Sequence, residues 1–263
     1  MKNKSLLFWR CKLGYLRNGQ NLKDLKIIDD GRFYIYQVGG LYIASEAFNW
    51  YLTRDILAKE VKRISCQYYT PKLGETLIDV GAGLGEEMCI YTDMVGPKGR
   101  VYSIEANPVV YNVLQEVVKL NKFANVVPLN LAVSDAPGKV MIDDAPNSYL
   151  SSSLQNQTKG KVYEVDGMPF EDFCRANDLL KINLLKVNIE GAERFFSSCF
   201  ACPDITIENV AIACHDFRFE AEGNEFFRTK QLVTDYLQAN GYQTWSQNTG
   251  TRYIDDWVYG KKA

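Results

Sequence analysis

Three groups of residues have the types and spacing to do chemistry. Leu77-Ile-Asp79-Val-Gly81-Ala82-Gly83-Leu-Gly85 runs directly into Glu86 and Glu87. Glu105 lies about 20 to 25 residues beyond that loop, the distance of one strand and one helix. Asn188-Ile-Glu190-Gly191-Ala-Glu193 then precedes the chain's single histidine, His215. One imidazole excludes every site with two histidine ligands, and any Ser-His-Asp or Cys-His mechanism would run through His215 alone. Acid and base work is left to one imidazole and a set of carboxylates.

Glycines at a strand-to-helix turn commonly seat a pyrophosphate on the helix N-terminus, where N–H groups and the helix dipole favour an anion. Glu86 and Glu87 oppose that here. A carboxylate about 4 to 6 Å from a pyrophosphate costs on the order of a few kcal/mol at an effective dielectric near 20, which disfavours NAD and FAD. A cationic ligand without phosphate meets no such penalty. S-adenosylmethionine has that chemistry: a ribose, an adenine, an amino-acid tail and a sulfonium. Asp79, Gly81, Ala82, Gly83 and Gly85 are the expected loop around it, and Glu105 is the expected acceptor for its ribose hydroxyls.

With Glu105-Ala106-Asn-Pro, Asn130-Leu-Ala132-Val-Ser-Asp135 and Leu184-Leu-Lys186-Val-Asn188-Ile-Glu190-Gly191-Ala-Glu193, the chain resembles the FkbM-type methyltransferases over about residues 71–215. It differs from their pattern at Gly83, where Asn is frequent; at Asn188, where Asp is usual; and at Ala213-Cys-His215, where Glu-x-His is common. The resemblance implies methyl transfer from S-adenosylmethionine to oxygen, usually a hydroxyl of a sugar or secondary metabolite. It also implies cofactor contacts at Ala106 and, at the adenine edge, Ala132. Fewer acids at 188 and 213 weaken the case for a divalent cation, so no metal is assigned, although Glu190, His215 and Asp216 could form a cluster.

These residues need a scaffold that brings them to one edge. After Pro71-Lys-Leu-Gly74, short apolar runs alternate with amphipathic stretches, the pattern of a sheet covered by helices on both faces. Strands are expected at 76–80, 100–105, 126–132, 183–188, 210–214, 242–245 and 257–259, and helices at 85–95, 108–122, 169–177, 191–197 and 224–240. The fold class is α/β: a doubly wound, seven-stranded, mostly parallel sheet of the Rossmann-like class I methyltransferase kind. Asp79, Glu105, Asn188 and His215 then converge at the carboxyl ends of four strands. In this reading His215 is the general base, Asn188 and Glu190 join it at the catalytic centre, and Glu193 is structural.

Residues 1–70 read as a helical and hairpin extension for substrate or oligomer contacts, and 71–263 as the cofactor-binding domain. A hairpin is expected where 32–38 and 41–44 flank Gly39-Gly40, then a helix over 46–69. The aromatics Phe33, Tyr34, Tyr36, Tyr42, Phe48, Trp50 and Tyr51 could line an acceptor pocket, although aromatics at this density more often pack a core or a dimer contact. The polar stretch 143–160 reads as a mobile loop and candidate lid.

The chain has 30 basic and 32 acidic side chains among 263 residues; residues 1–75 carry +6 and the rest −8. The basic arm leaves an RNA methyltransferase as the alternative enzyme, and the lost acids leave an inactive cofactor-binding partner subunit as the alternative of another class. Nucleic acid is otherwise not expected as a partner, a homodimer is open, and a small molecule or saccharide is the expected substrate. No apolar run reaches the length of a membrane span or signal peptide, and seven cysteines are an odd number, so a cytoplasmic protein with no membrane partner is expected.

Overall fold

A computed structural model describes residues 4–145, 148–154 and 160–263. The chain runs α1 (Lys4–Arg17), β1 (Leu22–Ile28), β2 (Phe33–Val38), β3 (Leu41–Ser45), α2 (Arg54–Arg63), β4 (Thr76–Val80), α3 (Glu86–Val95), β5 (Arg100–Glu105), α4 (Pro108–Asn121), β6 (Val126–Asn130) and β7 (Ala132–Val133). It continues through β8 (Gly138–Ala145), β9 (Ser148–Leu154), β10 (Val162–Met168), α5 (Phe170–Ala176), β11 (Lys181–Val187), α6 (Ser197–Ala201), β12 (Thr206–Ala213), α7 (Asp216–Glu222), α8 (Lys230–Ala239), β13 (Tyr242–Trp245), α9 (Arg252–Asp255) and β14 (Trp257–Lys262).

The apolar runs expected to be strands form one seven-stranded sheet in the order β13-β14-β12-β11-β4-β5-β6. The neighbours from β12 to β6 pair in parallel, and β14 is antiparallel to both its neighbours. Alternating side chains feed two cores. Leu77 and Leu184 point towards α2, α3 and α4, while Ile78, Val80, Leu185 and Val187 point towards α5, α6 and α8. Both faces of the sheet are thus covered, which is why these strands read as nearly continuous apolar runs.

The extension is a three-stranded antiparallel sheet, β1-β2-β3, with a core of its own in which Cys11, Tyr15, Leu22, Leu25, Tyr34 and Tyr36 are buried. Its other face carries Phe33, Ile35 and Ile43 into the core around α3 and α4. Asn121 joins the two bodies: its side chain accepts from the Tyr42 backbone N–H and donates to the Tyr42 carbonyl, both at 2.8 Å. The expected helix over 46–69 is shorter, because the Asn49 side chain accepts from the N–H groups of Tyr51 and Leu52, and Thr53 caps α2 through Ile56 N–H.

A second departure concerns 143–160, expected as a mobile loop. Residues 138–145 and 148–154 pair as an antiparallel hairpin within a four-stranded sheet, β7-β10-β8-β9, and the rest of that stretch, 146–147 and 155–159, lies outside the described residues apart from Gly160. The polar composition concealed strands, since pairing by backbone needs no apolar side chain. The run 126–132 also breaks, because the Asn130 amide donates to the Glu105 and Ala106 carbonyls and sends Ala132 into this second sheet.

Replacing Asn121 with Ala removes the paired amide contact between extension and α4. Urea unfolding should show a loss of about 1 to 3 kcal/mol; an unchanged midpoint would mean the contact adds nothing.

Candidate functional site

The carboxyl ends of β4, β5 and β11 open into a cleft of about 930 Å³ including its mouth. Its floor is the glycine loop. Gly81 has φ +76°, and a Cβ there would lie 1.9 Å from the Asn188 carbonyl oxygen, so this position fixes how closely the loop approaches the end of β11. The loop's N–H groups are already engaged: Gly81 and Ala82 donate to the Ile104 carbonyl, Gly85 to the Ala82 carbonyl, and Gly83 to Glu105 Oε2 at 2.9 Å. A phosphate would find these four donors taken.

Glu105 Oε1 also accepts from Asn107 N–H at 2.8 Å. Two of about four lone-pair positions on this carboxylate are thereby filled, and two remain. Burial pushes Glu105 up to about 7 despite both backbone donors, and burial likewise pushes Glu86 up to about 7. Ala82, Gly83, Glu86, Glu87, Ala106, Ala132, Asn188 and Glu190 line the same cleft. Asp79 and Gly85 are outside the lining: Gly85 sits behind the loop with φ +88°, where a Cβ would lie 2.8 Å from Leu114 and Met88, and Asp79 is fully buried.

Asp79 faces Lys186 of the neighbouring strand, whose Nζ lies 2.8 Å from Asp79 Oδ1 and 3.0 Å from Glu87 Oε2 and donates to the Gly81 carbonyl at 3.0 Å. The Asp79 approach is a charge contact rather than an aligned hydrogen bond. Burial alone would drive the proton from Lys186; Asp79 and Glu87 outweigh it and keep the ammonium charged. The sequence reading assigned Lys186 nothing, although a lysine inside an apolar strand run was the available signal.

A second cavity, about 700 Å³ including its open mouth, adjoins the first, lined by Phe217, Tyr253, Trp257, Cys214 and His215 and sharing Glu87, Asn188 and Glu190 with it. Glu190 precedes a 3₁₀ turn, Ala192–Phe196, where a helix over 191–197 is expected. It has φ +53°, followed by Gly191 at φ +96°, where a Cβ would lie 2.7 Å from the Phe226 ring. That left-handed pair aims Glu190 back at the junction, a strain held by its partners. Arg218 donates to Glu190 Oε2 at 2.6 Å, and His215 Nε2 is 3.4 Å from Oε1. Glu193, expected to be structural, is fully buried with Oε1 2.7 Å from His215 Nδ1.

His215 is the expected general base, and these contacts bear on its charge. Burial disfavours the imidazolium, but Glu190 and Glu193 outweigh it and push the pKa up to about 10, so the ring has no lone pair to offer at neutral pH. Burial pushes the Glu190 carboxyl upward too, yet His215 and Arg218 prevail and lower it to about 2. Asp216 is turned elsewhere, accepting from the N–H groups of Thr229 and Lys230 at the start of α8. Among the described residues no group of three His, Cys, Asp or Glu is arranged to hold a metal ion. The N-terminal aromatics line neither cavity: Phe33 and Tyr36 are in cores, and Trp50 and Tyr51 are exposed.

Residues 79–244 match the family model of the methyltransferase FkbM domain. No curated protein matches the chain. Among solved structures the chain is similar to a fibrillarin from Aeropyrum pernix with natively bound S-adenosyl-L-methionine, at 14% identity over 91% of this chain and 98% of that one, with a TM-score of 0.45. It is similar to a methyltransferase FkbM from Methylobacillus flagellatus KT, at 18% identity over 71% of this chain and 43% of that one, with a TM-score of 0.45. A SAM-dependent methyltransferase from Aquifex aeolicus aligns at 15% identity over 80% of this chain and 97% of that one, with a TM-score of 0.44.

Lys186→Met leaves Asp79 buried without its counter-charge and should cost about 3 to 5 kcal/mol in denaturant unfolding. The Lys186→Met, Asp79→Asn double variant should recover part of that loss; strict additivity would deny the pair its coupling.

Proposed function

The chain belongs to the FkbM methyltransferase family, and we propose that it transfers a methyl group from S-adenosylmethionine to a hydroxyl of a small molecule or saccharide. The observation that carries this reading is the pair of adjoining cavities with Glu87, Asn188 and Glu190 in their common wall. One cavity suits a cationic nucleoside and the other an acceptor, with their junction at the carboxyl edge of the sheet.

The first cavity fits the cofactor on four counts. The glycine loop offers no free N–H at Gly81, Ala82, Gly83 or Gly85 to a phosphate. Glu105 retains two lone pairs for a ribose diol. Glu86, Glu87, Glu105 and Glu190 outnumber Lys186 in the lining, which suits a ligand carrying sulfonium and ammonium charges. Leu131, Ala132, Ile142 and Leu154 supply an apolar wall for a purine. The bound cofactor supplies the electrophilic methyl group.

The chain's own residues align the acceptor and take its proton. Phe217, Tyr253 and Trp257 offer faces for a sugar or aromatic ring, and Asn188, exposed at the junction, offers donor and acceptor atoms to its hydroxyls. Glu190 is the proton acceptor in this reading. A carboxylate of low pKa suffices, because a hydroxyl oxygen becomes strongly acidic as it gains a methyl group, so proton loss can follow carbon–oxygen bond formation. His215 and Arg218 are positioning residues that hold Glu190 ionised and aimed.

At saturating cofactor, turnover should therefore be flat from about pH 7.5 to 9, whereas a neutral His215 base would make it climb towards its pKa near 10. Glu190→Gln should lower kcat by about 10² to 10⁴. A climbing profile, or full turnover in Glu190→Gln, removes the assignment, and cofactor binding without turnover across hydroxylated acceptors would favour an inactive partner subunit.

Cofactor affinity has its own pH dependence. Glu86 and Glu105 ionise through about pH 7, and a cation binds the ionised forms, so Kd should tighten by about three- to tenfold from pH 6 to 8 in calorimetry. The same raised pKa values mean that the ligand-free fold loses stability as pH rises from about 4.5 to about 7 and levels off above it. Affinity constant from pH 6 to 8 would exclude these carboxylates from the cofactor site.

A further inference from the structure

Helix α1 is apolar on two opposite faces. Cys11 and Tyr15 are fully buried and Leu7 and Phe8 pack against the same cluster, anchoring one face to the β1-β2-β3 sheet. On the opposite side Leu6, Trp9, Leu13 and Leu16 are 59%, 56%, 57% and 52% exposed. At helical spacing these four fall within an arc of about 80°, centred away from the buried face. Trp50 extends the patch: it packs on Gly14, where a Cβ would lie 2.6 Å from its own, and remains 47% exposed.

Charge flanks this stripe on both sides. Arg10 and Arg17 fall on one border and Lys12 on the other, with Lys4 in the first turn, and the sequence Lys4–Arg17 contains no acidic residue. Among the described residues no carboxylate forms an ion pair with any of these four cations. Arg10 and Arg17 also line a groove with Leu13, Gly14 and Trp50.

We propose that α1 is an interfacial helix that docks the protein on an anionic lipid surface, inserting Leu6, Trp9, Leu13, Leu16 and Trp50 among the headgroups while Arg10, Lys12 and Arg17 meet their phosphates. Apolar side chains bordered by Lys and Arg, with tryptophan at the boundary, are the pattern of a helix lying in a membrane interface. A second copy of the chain suits the surface less well. An isologous contact across the stripe brings the Arg10, Lys12 and Arg17 cations of the two copies together, with no acid on the helix to offset them. RNA suits it less well too, because leucines offer phosphates and bases neither hydrogen bonds nor stacking faces. No described helix is long and apolar enough to cross a membrane, and an interfacial helix need not be.

Co-sedimentation of the full chain with vesicles tests this directly. Phosphatidylcholine vesicles containing phosphatidylglycerol should retain at least about tenfold more protein than phosphatidylcholine alone, and about 0.5 M salt should release most of it. Leu13→Glu and the Arg10→Glu, Arg17→Glu pair should each abolish retention while leaving cofactor affinity and unfolding midpoint unchanged, since these side chains are solvent-facing. Equal recovery with and without anionic lipid overturns the proposal. So does a lipid-free dimer in sedimentation velocity that Leu13→Glu dissolves, or salt-sensitive RNA retention without vesicle binding.

Discussion

A lysine with 2% of its side chain exposed organises the carboxyl edge of this sheet. Lys186 and Asp79 sit opposite one another in the register of adjacent parallel strands, and the same ammonium reaches Glu87 on α3 and the Gly81 carbonyl of the loop. Three elements that must be placed together, the end of β4, the start of α3 and the end of β11, are thus tied by one charge. Buried charge is expensive unless fully paired, so any packing that separated these elements would leave an isolated ion in a dry interior. The interaction adds modest net stability, but it penalises alternatives to the cleft's geometry.

From that tie the rest of the edge follows. Gly81 is admitted to within backbone contact of Asn188, whose N–H donates to Val80, and this brings the two cavities against a common wall. The hydrogen-bonded glycine loop turns its polar groups inward and presents Glu105 and Glu86 to the cleft. On the other side of the wall, His215 lies between Glu190 and Glu193, and Arg218 bridges Glu190 and Glu222. The two carboxylates beside the lone histidine raise its pKa, so its charge is set by partners that the fold brings to it.

Much of this was legible in the chain. Apolar runs bounded by Gly and Pro placed the strands of the seven-stranded sheet, because strands buried on both faces must be apolar throughout. The glycine spacing followed by Glu86-Glu87 pointed to a cationic, phosphate-free ligand, since that argument concerns charge near a helix start and needs no distances. The β8-β9 hairpin was hidden because its pairing is a backbone matter and its composition is that of a loop. Two-faced α1 was similarly obscured: periodicity measures one apolar face against one polar face, and this helix has apolar residues on opposite sides.

The sequence by itself determined which residues arrive at the carboxyl edge, because strand order in a parallel sheet with covering helices brings Asp79, Glu105, Asn188 and His215 there from any register. Only the tertiary structure decided what each does once there. Protonation and orientation depend on neighbours that lie far apart in the chain, Lys186 against Asp79 and Glu193 against His215, and on a left-handed turn at Glu190 that no side-chain pattern announces. Interactions between charges fall off over a few ångströms, so a residue's role is set by distances that sequence spacing does not contain.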